Sequence, residues 1–172
     1  MKRREFIKIS AILLGSSAFA QTSKSYALHV NIIKEPFLTL MRVQEDLFPP
    51  NISMPSIHQI NVLGFIKAVL QDSKIKVSTK QQLLDGVKWL NQTAQNSYMK
   101  NYIELPYQTR ENILHEISQR EWGDNWLWYV MNFTFEAMFS DPVYGGNMNE
   151  NGWKWVEHLP GLPRPIRVNI YV

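Results

Sequence analysis

The 172-residue chain is the length of one ordinary domain of about 100 to 150 residues with a leader in front. It has no cysteine, which excludes disulfides, thiolate metal sites, iron–sulfur ligands and c-type haem attachment. Its +3 formal charge comes from residues 1–20: without Lys2, Arg3, Arg4 and Lys8 on one side and Glu5 on the other, the 18 basic and 15 acidic residues become 14 of each, so nothing marks a nucleic-acid footprint.

Residues 1–20 read as an export signal. A basic head, Met1 to Lys8, precedes the weakly apolar run Ile9 to Ala20, and Ala18-Phe19-Ala20 fits the small-x-small pattern of a cleavage site, giving Gln21 as the mature start. The run is shorter than the roughly 20 residues a membrane span needs. Arg3 and Arg4 followed by Phe6 resemble the twin-arginine signal, the route for proteins exported already folded. The expected location is the periplasm. Residues 21–35 are expected to be a flexible mature N-terminus, and 36–172 a single helical domain.

Within that domain the first helix is predicted from Pro36 to Leu47, with Phe37, Leu40, Met41 and Leu47 on its apolar side and Pro49-Pro50 as its stop. Ser56 is placed to cap a second helix, Ile57 to Gln71, in which Gly64 would admit a close neighbour. A third begins at Ser78 or Thr79 with a Thr79-x-x-Gln82 capping box and runs towards Tyr102. A fourth spans Pro106 to Arg120 and presents Ile113, Leu114 and Ile117. Gly123-Asp124 is expected to break and cap before a fifth, Asn125 to Phe139, which is apolar on nearly all sides; such a helix belongs at the centre of a domain or against another protein. The fold class is therefore all-α, a compact bundle of about five helices with a long irregular C-terminal loop and tail. Pro160, Pro163 and Pro165 prevent a continuous helix in the tail, and Arg167 to Val172 is expected to be extended.

The loop, residues 140–155, is the most specific stretch. Asp141-Pro142 starts a turn, Gly145-Gly146 supplies backbone freedom, and Asn147 tolerates the left-handed region. No G-x-G-x-x-G or G-K-[ST] pattern surrounds the glycines, so no motif marks them as a phosphate cradle. His29, His58, His115 and His158 have no metal-ligand spacing, no G-x-S-x-G elbow occurs, and Glu45-Asp46 reads as helix-surface charge. No catalytic, cofactor-binding or metal residue is assigned. Five of the six tryptophans, Trp122, Trp126, Trp128, Trp153 and Trp155, straddle the loop, with Trp126 and Trp128 expected inside. They are read as core, as anchors for a partner, where aromatics are enriched, or as exposed ring faces that bind sugar.

The Arg-Arg signal, the helical middle, Ser140-Asp141-Pro142-Val143-Tyr144-Gly145-Gly146-Asn147, Gly152-Trp153 and the early Val43-Gln44-Glu45-Asp46-Leu47-Phe48-Pro49 together resemble the gluconate 2-dehydrogenase subunit 3 family. The resemblance covers nearly the whole chain; the polar start of the mature chain and the tail from Pro160 match nothing in it. It implies a non-catalytic accessory subunit that binds no cofactor itself and partners a large FAD-containing subunit, which oxidises the sugar or sugar acid. In that family a multihaem cytochrome c subunit takes the electrons to the membrane quinone pool, so the implied contact with the membrane is indirect. The implied role is to escort the flavoprotein through export and to stabilise it. Asp141, Pro142, Tyr144, Gly145, Gly146, Asn147, Gly152 and Trp153 are the expected partner interface. The alternative is a free-standing periplasmic sugar-binding protein or small enzyme that uses the aromatic loop as a pocket.

Overall fold

A computed structural model describes residues 34–50 and 54–165. The predicted signal with Arg3, Arg4 and Phe6, the mature start and the extended end at Arg167 to Val172 lie outside the described residues.

The described chain is all-α: seven α-helices with three short 3-10 turns and no strand among the described residues. Helix α1 (Phe37–Leu47) follows Pro36 and ends where the Phe48 N–H reaches the Gln44 carbonyl, just before the prolines. Ser56 caps α2 (Ile57–Ile60) as expected, its hydroxyl accepting from the Gln59 N–H while the Gln59 side chain accepts from the Ser56 N–H. The predicted second helix is in fact two. Asn61 turns left-handed at φ 62° and separates α2 from α3 (Val62–Gln71). A side chain on Gly64 would collide with the Asn61 amide, its β-carbon 2.2 Å from Nδ2, so the close neighbour at Gly64 is the residue that makes the break.

Helix α4 (Val77–Tyr98) starts before Ser78 and ends at left-handed Met99. No side chain caps it, so the Thr79 capping box does not form. A 3-10 turn, Tyr102–Glu104, leads to α5 (Tyr107–Ser118), which buries Ile113, Leu114 and Ile117. Helix α6 runs from Glu121 to Phe139. Gly123-Asp124 is no break, because Gly123 lies inside the helix against the Ile117 carbonyl, where a β-carbon has no room. Pieces of regular structure also occur in the predicted irregular region: 3-10 turns at Pro142–Tyr144 and Met148–Glu150, then α7 (Asn151–Trp155).

Helix α6 is the axis of the domain and packs against all six other helices. Its buried side carries Trp126, Leu127, Val130, Phe133, Ala137 and Met138. Around it lie Leu40 and Val43 of α1, Ile66 of α3, Leu83, Val87 and Leu90 of α4 and Ile113 of α5. Each of the large side chains among them contributes about 1.5 to 3 kcal/mol by leaving water.

Two polar ties fix α1 in this core. Gln44 Nε2 donates to Thr134 Oγ1 at 2.9 Å, and that hydroxyl donates to the Val130 carbonyl at 2.7 Å. Asp46 is the second tie, and it corrects the reading of Glu45-Asp46 as surface charge. Its side chain is 3% exposed and receives the Arg110 guanidinium bidentately, Nε and Nη2 each at 2.7 Å, with the Tyr102 hydroxyl donating at 2.8 Å. Arg110 Nη1 finishes the network on the Leu105 carbonyl. Burial first, and the Asp46 carboxylate second, push the Tyr102 phenol far above its ordinary value. Helix α1 is thereby clamped, at one buried carboxylate, to a segment 56 to 64 residues further on. Glu45 faces outward and pairs with Arg42 and His58 instead.

Candidate docking face

At Phe139 the central helix stops with carbonyls that have no helical partner, and such groups need donors from elsewhere. The loop supplies them. The Trp153 indole N–H donates to the Phe139 carbonyl at 2.7 Å, and Asn147 Nδ2 donates to the Ser140 carbonyl at 3.0 Å. Asn147 Oδ1 meanwhile accepts from the Gly152 N–H at 2.8 Å, closing the loop on itself. Gly146 and Gly152 let the two backbones meet: a β-carbon would stand 2.5 Å from the Ala137 carbonyl oxygen in the first case and 1.9 Å from that of Met138 in the second. The stretch 140–155 is thus the C-terminal cap of α6.

Further bonds hold it to the rest of the domain. Asn61 Nδ2 donates to the Gly145 carbonyl at 2.8 Å and Asn151 Nδ2 donates to the Gln59 carbonyl at 3.0 Å, while inside the loop Asp141 accepts from the Val143 N–H. Gly145 sits at φ 92°, Asn147 at 45° and Glu150 at 60°, the last an uncommon place for a glutamate. Arg164 clasps it there, with Nη1 on Glu150 at 2.7 Å, Nε on Asp141 at 3.1 Å and the guanidinium over the Trp153 ring. Burial alone would raise the Asp141 carboxyl; the Val143 N–H and the Arg164 charge outweigh it and hold it below its ordinary value.

The expected interface residues therefore divide. Gly146, Asn147, Gly152 and Trp153 are buried and turned to the domain, while Tyr144 is exposed, and Asp141, Pro142 and Gly145 are partly exposed. The large apolar side chains that the loop turns outward are Tyr144, Met148 and Trp155.

Beside the loop is a feature that the sequence reading did not separate from the core. Trp128, expected inside, is 56% exposed. Met131, Phe135 and Phe139 follow it at i+3, i+7 and i+11, all exposed, in one stripe along α6 opposite its buried side. Phe48 meets Phe135 edge-on with centroids 5.2 Å apart, and Phe139 stacks between Phe135 and Trp155 at 6.4 and 6.2 Å. The signal was legible at 100° per residue: Trp126, Val130, Phe133 and Ala137 trace one side and Trp128, Met131, Phe135 and Phe139 the other.

A family model described as gluconate 2-dehydrogenase subunit 3 matches residues 34–161, a stretch that takes in every described helix and the capping loop. No curated protein and no solved structure matches the chain.

Proposed function

The chain belongs to the gluconate 2-dehydrogenase subunit 3 family, accessory subunits of gluconate 2-dehydrogenase-like complexes, and from that premise we propose that it docks on the large FAD-containing subunit of a periplasmic sugar or sugar-acid dehydrogenase. The flavin and the haem c of a cytochrome subunit belong to its partners. A chain without cysteine offers no c-type haem attachment. Its work is binding: occupying the flavoprotein surface stabilises that subunit by mass action and escorts it through twin-arginine export.

The observation that carries this reading is the aromatic face of α6. Trp128, Met131, Phe135, Phe139 and Trp155 are exposed by 56, 37, 47, 38 and 36%. At about 200 Å² for a large side chain this is about 400 Å² of apolar surface. It would form the centre of an interface that covers about 800 Å² per partner. A capped, rigid α6 presents it with little ordering cost.

The test is co-expression with the flavoprotein and pull-down of the mature chain. The wild type retains the flavoprotein, and Trp128→Ser with Phe139→Ser loses it while the helical spectrum is unchanged. Retention by that variant would sink the docking reading. Arg3→Lys with Arg4→Lys should strand both chains in the cytoplasm; a flavoprotein that still reaches the periplasm rules out the escort role.

The alternative, a sugar-binding protein, has one observation in its favour. Trp89 and Trp122 meet edge-on at 5.5 Å in a groove of about 350 Å³ that Gln92, Asn96 and Arg120 also line. Calorimetry of the mature chain with gluconate and common aldoses decides it, since saturable binding without a partner supports this reading.

A further inference from the structure

Between α3 and α6, beside Tyr144 of the capping loop, lies a pocket of about 260 Å³. Phe65, Val69 and Ile75 give it apolar walls, and Asp72 and Glu136 bring two carboxylates to it. Neither carboxylate has a cation among the described residues. Asp72 Oδ1 accepts from the Lys74 backbone N–H at 2.8 Å, and Glu136 Oε1 accepts from Asn132 Nδ2 at 2.7 Å. Glu136 is the next residue after Phe135, one helical step of about 100° around α6, so the pocket opens on the border of the aromatic face.

We propose that this pocket seats one arginine side chain of the large dehydrogenase subunit, with its stem along Phe65, Val69 and Ile75 and its guanidinium between Asp72 and Glu136. The inference rests on the docking reading and names what the partner must bring to it. Size argues for a single side chain, because sites for small molecules occupy roughly 300 to 1,000 Å³. Charge argues for a cation. An apolar occupant would strip water from two carboxylates and leave them unpaired, which is strongly unfavourable. Arginine suits the site better than lysine, since its planar fork of five donors serves two carboxylates at once and its stem packs on apolar walls. Arginine is also enriched among the residues that dominate interfaces.

The experiment measures the dissociation constant of the full mature chain for its flavoprotein subunit at low and high salt. Three forms are compared: wild type, Asp72→Asn with Glu136→Gln, and Phe135→Ser. The isosteric pair keeps the Lys74 and Asn132 hydrogen bonds, so the fold persists, and matching thermal melts verify it. The pair is expected to bind at least about tenfold more weakly at low salt, with the gap closing at high salt as screening removes the charge contribution. A photo-crosslinker at Tyr144 is expected to capture a flavoprotein peptide that contains arginine.

Wild-type affinity in the paired variant, or a loss equal at both salt concentrations, overturns the proposal, as does a captured peptide without arginine. Phe135→Ser separates the two levels. If it weakens binding while the carboxylate pair does not, the pocket assignment alone fails; if it too binds normally, the docking reading fails and the pocket assignment with it.

Discussion

Asn147→Ala tests whether the loop is held as the geometry says. Asn147 is fully buried, donates to the Ser140 carbonyl at 3.0 Å and accepts from the Gly152 N–H at 2.8 Å. Truncation removes both partners at once. An orphaned buried backbone group costs about 1 to 3 kcal/mol; the Gly152 N–H is buried and the Ser140 carbonyl partly so, and the two together cost about 1 to 6. Alanine in the left-handed region at φ 45° adds about 1 to 2 more. Against a total of about 5 to 15 kcal/mol for a domain, this one side chain carries a large share of the stability. Urea unfolding of the mature chain, followed by tryptophan fluorescence, measures the change as a shift in midpoint at constant slope. Asn147→Gly divides it, since glycine accepts the backbone angle yet lacks the amide and should recover only the smaller part. A loss below about 1 kcal/mol for alanine would refute the claim that these two bonds fix the loop.

Four other perturbations have definite outcomes. Arg110→Met leaves the Asp46 carboxylate buried without its cation and should lower stability by about 3 to 5 kcal/mol in the same urea assay; Tyr102→Phe removes one bond to that carboxylate and should cost about 1.5 to 3. Gly86→Ala improves helix propensity but should still destabilise by about 1 to 3 kcal/mol, because the new β-carbon would stand 2.0 Å from Trp126 Cδ1, and that ring is tied to the Leu83 carbonyl by its N–H. Near-ultraviolet circular dichroism should show the ring displaced. Asp141 sets an acid dependence: its carboxyl lies below its ordinary value when folded, so the stability from the clasp is complete above the unfolded value of about 3.9 and is lost as pH falls through the folded one. Arg164→Gln should flatten that acid limb of the stability curve, and an unchanged limb would assign it to other carboxylates.

The helices were legible because periodicity and caps act locally. Ser56 as a cap, Pro36 before α1 and the apolar row of α5 needed no knowledge of distant residues. Asn61 was hidden for the opposite reason. Its left-handed turn is held by the Gly145 carbonyl, 84 residues away, and no pattern within the helix announces it. Asp46 failed in the same way, since its partners Tyr102 and Arg110 lie 56 and 64 residues on. Gly123-Asp124 misled because a glycine inside a helix reads as a stop, whereas here it makes room for the Ile117 carbonyl. In the loop, composition indicated the unusual backbone of Gly145 and Asn147 but not which way the side chains face. Burial settles that: Asn147 and Trp153 serve the helix end, and Trp128 and Phe135 face away from the core.

Capping from so far downstream has a consequence for synthesis. A chain emerges from its N-terminus, so α6 is complete as a segment before Asn147, Trp153 and Arg164 exist. A product cut short before Trp153 would hold the same central helix with its final carbonyls unanswered and its end free to fray. Such a fragment would be open to proteases at the very helix that carries the aromatic face. Translation to the last turn of the loop is thus checked by the solidity of an element finished earlier.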